Sequence, residues 1–289
     1  MRIAVCVKWV DLRPEVEPLT GEVRTDDRSS GFSAADRAAV ETAMRWAGSH
    51  PGSSVVAVCV GPEAADRGLR ELLAVGVDEA VRVDSDDADL DSSLVAAALA
   101  SEVSDADWVL CGDHSADRGS GSVPAFLAHR LGAEQALGLV HVAQPREGTV
   151  GVTRRLGAGR SERLEVSAPA VLSVEGSVAL LRRASLGAEL ASLGAAVTLR
   201  RGGAARSGRS GPPAGGGPAA LTWEPPSPWR PRPRGIAAPA EPTALGRIVE
   251  LTGAHVDRTP PRTVEASPEE AARVIVEQLR AWGYLAERD

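Results

Sequence analysis

Apolar residues in this chain fall into short unbroken runs, separated by stretches in which they recur every three or four positions. Residues 2–7 (RIAVCV), 54–60 (SVVAVCV), 79–83 (EAVRV) and 108–111 (WVLC) are the runs, and their length suits buried strands. Ser33 caps the first intervening helix, with Asp36 at the capping-box position, and Ala39, Val40, Ala43, Met44 and Ala47 line its inner face up to Gly48. Gly61-Pro62 opens a second helix with Pro in its first turn, carrying Ala65, Leu69, Leu72 and Leu73 and stopped by Gly76. Asp91 or Ser92 caps a third, with Leu94, Val95, Ala98, Leu99 and Val103 inward. After the fourth strand comes a small-residue turn, then a helix with Pro124 in its first turn and Val123, Phe126, Leu127 and Leu131 on one face. Four strands alternating with helices predict an α/β fold, a mostly parallel, doubly wound sheet covered on both faces.

The rhythm changes after residue 133. Residues 149–156 and 161–166 flank Gly157-Ala158-Gly159-Arg160 and predict an antiparallel hairpin. With the apolar run 169–174 they form an expected antiparallel addition to the sheet. Residues 182–194 read as a loop and short helix. Residues 8–30 are polar and turn-rich and read as irregular. Residues 202–234 are rich in Gly, Pro, Arg and Ser and cannot build a core. As a coil they span about 30 Å, enough to cross a neighbouring domain, and Trp223 and Trp229 suggest that they lie on a surface. Leu245, Ile248 and Val249 mark a short helix, and Ser267-Pro268-Glu269-Glu270 starts another with Ala271, Ile275, Leu279 and Trp282 on one stripe. That stripe must dock on the chain's own body or on another subunit. The expected organisation is an α/β domain at 1–201, a linker at 202–234 and a C-terminal arm at 235–289.

Parallel sheets bind ligands beyond the carboxyl ends of their strands. Three segments fall there: the loop after Val7, the turn Val60-Gly61-Pro62, and the turn from Gly112 through Gly119, Ser120, Gly121 and Ser122 into the helix at Val123. Glycines let that last turn aim backbone N–H groups, with the helix N-terminus, at an anion. A nucleotide phosphate is the expected guest. Neither a Walker sequence nor G-x-G-x-x-G is present. Asp113, His114 and Asp117 lie close together, yet carboxylates are common in solvated turns, and no Ser-His-Asp, Cys-His or metal constellation stands out.

Charge narrows the field. The chain's 32 basic and 39 acidic residues give −7, against nucleic-acid or anionic-membrane binding by bulk charge. No apolar run reaches the ~20 residues of a membrane span, and the N-terminus reads as a first strand, not a signal peptide. Cys6, Cys59 and Cys111 each sit inside an apolar run, which fits buried thiols in a reducing cytoplasm.

Six segments in order resemble the beta subunit of electron transfer flavoproteins, its nitrogen-fixation relatives included: VCVKWV at 5–10, SAADRAAVETAMRW at 33–46, VCVGPEAADRGLRELLAVGVDEAVRV at 58–83, DWVLCGDHSADRGSGSVPAFLAHRLG at 107–132, RRASL at 182–186 and RTVEASPEEAARVIVEQL at 262–279. The resemblance implies an adenine-nucleotide-hydrolase-like fold and an electron carrier, not an enzyme. It implies a heterodimer in which an alpha subunit holds most of the FAD, this chain caps it, and a structural AMP, or a second FAD in some relatives, sits in this chain. It puts nucleotide contacts at Cys6, at Ser33, Ala34, Ala35 and Asp36, at Val60, and along Gly112, Asp113, His114, Asp117, Gly119, Ser120, Gly121, Ser122 and Val123. It puts docking of the dehydrogenase donor at Ala184, Ser185 and Leu186, and an embrace of the alpha subunit in the C-terminal arm. Ser33-Ala34 stand where the family has Asn-Pro, His114 and Ser122 where it has glutamines, and Arg13 near the place of an aromatic. Gly121-Ser122-Val123 also resembles the ATP turn of universal stress proteins, which lack the hairpin and the arm. An adenylate-forming enzyme would need a Ser/Gly-rich loop where Lys8-Trp9-Val10-Asp11 stand.

Overall fold

The computed structural model describes residues 1–85, 91–201, 238–252, 263 and 266–284. Among them, in chain order, stand β1 (Arg2–Val7), β2 (Trp9–Asp11), β3 (Glu15–Val16), β4 (Val23–Arg24), β5 (Ser30–Phe32), α1 (Ala34–Ser49), β6 (Ser54–Gly61), α2 (Ala65–Ala74), β7 (Glu79–Asp84), α3 (Ser92–Val103), β8 (Trp108–Gly112) and α4 (Val123–Leu131). There follow β9 (Glu134–Val142), β10 (Thr149–Arg155), β11 (Ser161–Ser167), β12 (Ala170–Val174), α5 (Leu186–Ser192), β13 (Thr198–Arg201), α6 (Ala244–Thr252) and α7 (Pro268–Ala281).

Nine strands form one sheet in the order β11-β10-β9-β12-β8-β1-β6-β7-β13. From β9 to β13 every neighbouring pair is parallel, and β10 and β11 extend it antiparallel. Side chains alternate across it. Ile3, Val5 and Val7 of β1 join one core with Ala39, Val40 and Ala43 of α1 and Leu69 and Leu72 of α2. Ala4 and Cys6 join the other, with Ala96 and Leu99 of α3 and Leu127 of α4. This is the doubly wound arrangement expected, since strands buried on both faces are apolar at every position.

Several expectations need correction. The run at 169–174 is not part of an antiparallel addition: β12 threads between β8 and β9, parallel to both, and is buried throughout. β9 was not legible as a strand. Its inward positions are sparse, and Gly138 (φ 68) breaks its register against β12, donating its N–H to Ser173 Oγ at 3.0 Å. Residues 8–30 are not irregular, for β2 pairs with β5 and β3 with β4. α2 begins after Pro62, at Ala65, so the proline lies in the preceding turn. On α4 Leu127 is buried, but Phe126 faces solvent. Linker residues 202–234, with Trp223 and Trp229, fall outside the described residues.

The chain divides into two units, residues 1–229 and 230–289. In the second, Ser267 and Glu270 close the capping box predicted for α7, and neither α6 nor α7 buries a side chain.

Trp9 of β2 and Phe32 of β5 meet edge to face, with ring centroids 5.5 Å apart. They lie on Gly68 of α2, where a Cβ would come within 2.4 Å of the Trp9 ring and 2.8 Å of Phe32. Alanine for glycine inside a helix ordinarily adds about 1 kcal/mol of stability. Overpacking costs about 1–3 kcal/mol, so Gly68→Ala is expected to lower stability in urea denaturation instead of raising it.

Candidate functional site

The order of the strands reverses at β1. β6 and β7 lie to one side, and the chain then crosses through α3 to place β8 on the other. Such a reversal leaves a crevice beyond the strand ends, because the two adjoining connections leave in opposite directions. A cleft lies there, between the ends of β1, β6 and β8, the start of α3 and the turn after β8.

Cys6 of β1 and Cys111 of β8, paired in register, contribute to the cleft lining together with Asp36. Val60, Val95 and Leu99 supply apolar surface. The turn from Gly112 to Val123 forms the rest with Lys8. Gly121 has φ 59, and a Cβ on it would lie 2.5 Å from the Asp113 carbonyl oxygen, so only glycine fits. The backbone N–H groups of Ser120, Gly121, Ser122 and Val123 make no hydrogen bond among the described residues. Pro124 at the start of α4 has no N–H to contribute. Four adjacent unpaired donors at a helix N-terminus suit a phosphate or carboxylate. Ser122 does not cap α4. Its hydroxyl donates to Ser92 Oγ at 2.8 Å and so ties the turn to the start of α3.

An ion pair and a neighbouring hydrogen-bonded pair order the rim. Lys8 Nζ donates to both carboxylate oxygens of Asp117, at 2.6 and 2.8 Å. Partial desolvation would raise the Asp117 pKa, but Lys8 and a hydrogen bond from Ser115 outweigh it and hold it below the usual range. His114 Nδ1 lies 2.8 Å from Asp113 Oδ1. At the first turn of α1, Asp36 is buried, and Ser33 donates both its N–H (3.1 Å) and its hydroxyl (2.8 Å) to Asp36 Oδ2. Burial pushes the Asp36 carboxyl up to about 6, against the pull of those bonds and of Lys8. Burial also pushes the Cys59 thiol up to about 12, and a hydrogen bond with Cys6, then burial, raise that of Cys111. These thiols are weak nucleophiles at neutral pH.

Of the residues expected to form the site, Cys6, Asp36, Val60, Gly112, His114, Ser120, Gly121, Ser122 and Val123 line the cleft. Ser33, Ala34, Ala35, Asp113, Asp117 and Gly119 do not. Ser33 acts through Asp36, Asp117 through Lys8, and Ala34 and Ala35 form the helix turn behind Gly112. Lys8, Ser92, Val95, Leu99, Ser115 and Arg118 were missed. Lys8 directly follows a strand that ends at the reversal, which is a readable signal. The face of α3 reads only as core. Ala184, Ser185 and Leu186 lie outside the cleft: Ser185 caps α5 by accepting the Ala188 N–H, and Leu186 is exposed. Among the described residues no cluster of His, Cys, Asp or Glu is arranged to hold a metal, and no helix is long and apolar enough to cross a membrane.

Residues 21–196 match the family model of the electron transfer flavoprotein domain. The chain is 32% identical over 136 residues to the electron transfer flavoprotein subunit beta of Methylophilus methylotrophus, covering 46% of this chain and 52% of that one. It is 36% identical over 138 residues to the caffeyl-CoA reductase–Etf complex subunit CarD of Acetobacterium woodii (45% and 52%). It is 29% identical over 175 residues to the electron transfer flavoprotein subunit beta of Syntrophomonas wolfei (60% and 69%). The chain thus spans about half the length of the first two of these relatives.

The raised pKa of Asp36 has a defined sign. Between its ordinary 3.8 and about 6 the folded chain keeps a proton that the unfolded chain has released. Its contribution to stability is therefore complete below the lower value and is lost as pH rises through the upper one. Asp36→Asn should gain on the wild type by about 3 kcal/mol between roughly pH 4 and pH 7, read as the difference between their urea-denaturation profiles.

Proposed function

The chain belongs to the electron transfer flavoprotein family, and from that premise we propose that it is the beta-type subunit of a heterodimeric electron carrier. In this reading an alpha-type subunit holds most of the FAD and this chain closes the flavin site. The flavin supplies the redox chemistry, accepting electrons from a dehydrogenase and passing them to a downstream acceptor. This chain's own cleft holds an adenine mononucleotide, AMP, with a structural role.

The observation that carries the nucleotide reading is the row of unpaired N–H groups from Ser120 to Val123, residues that line a cleft with apolar surface at Val60, Val95 and Leu99 and polar groups at Lys8, Asp36 and Ser92. The donors suit the phosphate, and Val60, Val95 and Leu99 offer surface for a base. His114 and Ser122, where the family has glutamines, leave fewer side-chain amides for the base and ribose, so binding rests mainly on backbone. Cys6 and Cys111 are buried, the Cys111 thiol with its pKa raised by a hydrogen bond with Cys6 and by burial, and both lend themselves to packing, not to chemistry. The role as carrier needs no general base in this subunit. Exposed Leu186 at the start of α5 offers the donor dehydrogenase an apolar contact.

Co-expression with an alpha-type subunit is expected to give a yellow 1:1 complex that releases AMP beside FAD on denaturation. A colourless monomer would overturn the carrier reading, and two FAD per dimer would replace AMP by a second flavin. Leu186→Ala is expected to slow reduction by the dehydrogenase at least tenfold, the effect of losing about 1.4 kcal/mol at the contact, with flavin content unchanged. Loss of flavin instead would make the loop structural.

A further inference from the structure

α1 touches both the nucleotide cleft and the segment that leads to α5. Its first turn is enclosed by two glycines. A Cβ on Gly112, at the end of β8, would lie 3.0 Å from Ala35 Cβ and 3.1 Å from the Asp36 nitrogen. A Cβ on Gly176, just beyond β12, would lie 2.9 Å from Ala34 Cβ, 3.1 Å from the Ala34 carbonyl carbon and 3.2 Å from the Ala35 nitrogen. Gly112 begins the turn that forms the cleft, and Gly176 begins the path to α5. Gly112 is fitted against Ala35 and Asp36 and Gly176 against Ala34 and Ala35, so the two share Ala35 and together enclose one helix turn.

A second attachment lies two turns along the helix. Glu41 is buried and accepts four hydrogen bonds: from Arg45 Nε at 3.0 Å, and from Arg182 through its backbone N–H (3.1 Å), Nε (2.9 Å) and Nη2 (3.2 Å). Between Gly176 and Arg182 the chain has no helix or strand, and Val178, Ala179 and Leu181 pack against the core. Its course is therefore set by α1 at one end through backbone contact and at the other through an ion pair with a planar, two-nitrogen fork. Three residues after Arg182, Ser185 caps α5, and Leu186, Leu190 and Leu193 follow on one exposed face. Neither Glu41 nor Arg182 lines the cleft.

We propose that α1 positions the leucine face of α5 relative to the nucleotide cleft, with Glu41 as the positioning residue that fixes Arg182, and that a filled cleft steadies α5 through the first turn of this helix. The structural nucleotide thereby acquires a function, the ordering of the surface on which a partner docks. The inference rests on the reading of cleft and α5 given above. Glu41→Gln removes the charge while keeping the volume, and the half-exposed Arg182 can turn to water, so the sheet has no reason to unfold.

Hydrogen–deuterium exchange of the full chain, with and without AMP, tests this at amides 183–193. Glu41→Gln is expected to exchange there about tenfold faster than wild type, with β1, β6 and β8 still protected. AMP is expected to slow exchange at 183–193 in the wild type and not in the variant. Equal exchange in the two chains overturns the positioning role. AMP that binds, by equilibrium dialysis, without slowing 183–193 in the wild type overturns the coupling. AMP that does not bind overturns the nucleotide reading and the coupling with it, while the variant still decides the positioning role. In the flavin complex, slowed reduction in Leu186→Ala but not in Glu41→Gln would leave the docking reading standing and remove this inference. Normal reduction in both would remove the docking reading itself.

Discussion

The first turn of α1 is where the constraints of this fold meet. Ser33 and Asp36 satisfy one another's backbone and side-chain groups at the start of the helix. They do so out of water, which makes every unmade bond there costly. The carboxylate is buried beside Cys6 and Cys111, so its charge is carried at an energetic penalty. Gly112 and Gly176 press their backbones against the same turn. A side chain at either position would move the helix, and with it Asp36 beneath the cleft and Glu41 beside Arg182.

The cleft follows from the sheet, not from a local motif. Parallel strands with helices on both faces leave their carboxyl ends open, and the reversal at β1 opens a gap between β1 and β8. Side-chain alternation puts Ile3, Val5 and Val7 on one face and leaves Cys6 on the face that borders the gap. The turn after β8 then closes over it with unpaired N–H groups. Lys8 and Asp117 join the two sides, each charge neutralised by the other at the rim. Such an arrangement suits an anion through backbone geometry and needs few particular side chains.

Much of the parallel half was legible in the sequence. β1, β6, β7 and β8 are uninterrupted apolar runs because both their faces are covered, and the capping residues Ser33, Asp91 and Ser267 each cap the helix expected of them. The extension was less so. β9 is half exposed and broken by Gly138, β13 is a four-residue edge strand, and the short pairs in residues 8–30 have too few buried positions to show a period. β12 is apolar enough to be seen as a strand, but nothing local tells a strand which neighbours it will pair with or in which direction.

The turn at Gly112–Val123 could be read as a glycine-rich turn entering a helix, a candidate place for an anion, because glycines, serines and a helix start are local features. The sequence by itself determined the alternation of strand and helix, the caps, and the backbone freedom of that turn, since these depend on residues near one another in the chain. Tertiary structure alone decided that Lys8 pairs with Asp117, that Ser92, Val95 and Leu99 face the cleft, and that Glu41 holds Arg182 from 141 residues away. Those contacts depend on strand order and helix rotation, which only the closing of both cores fixes.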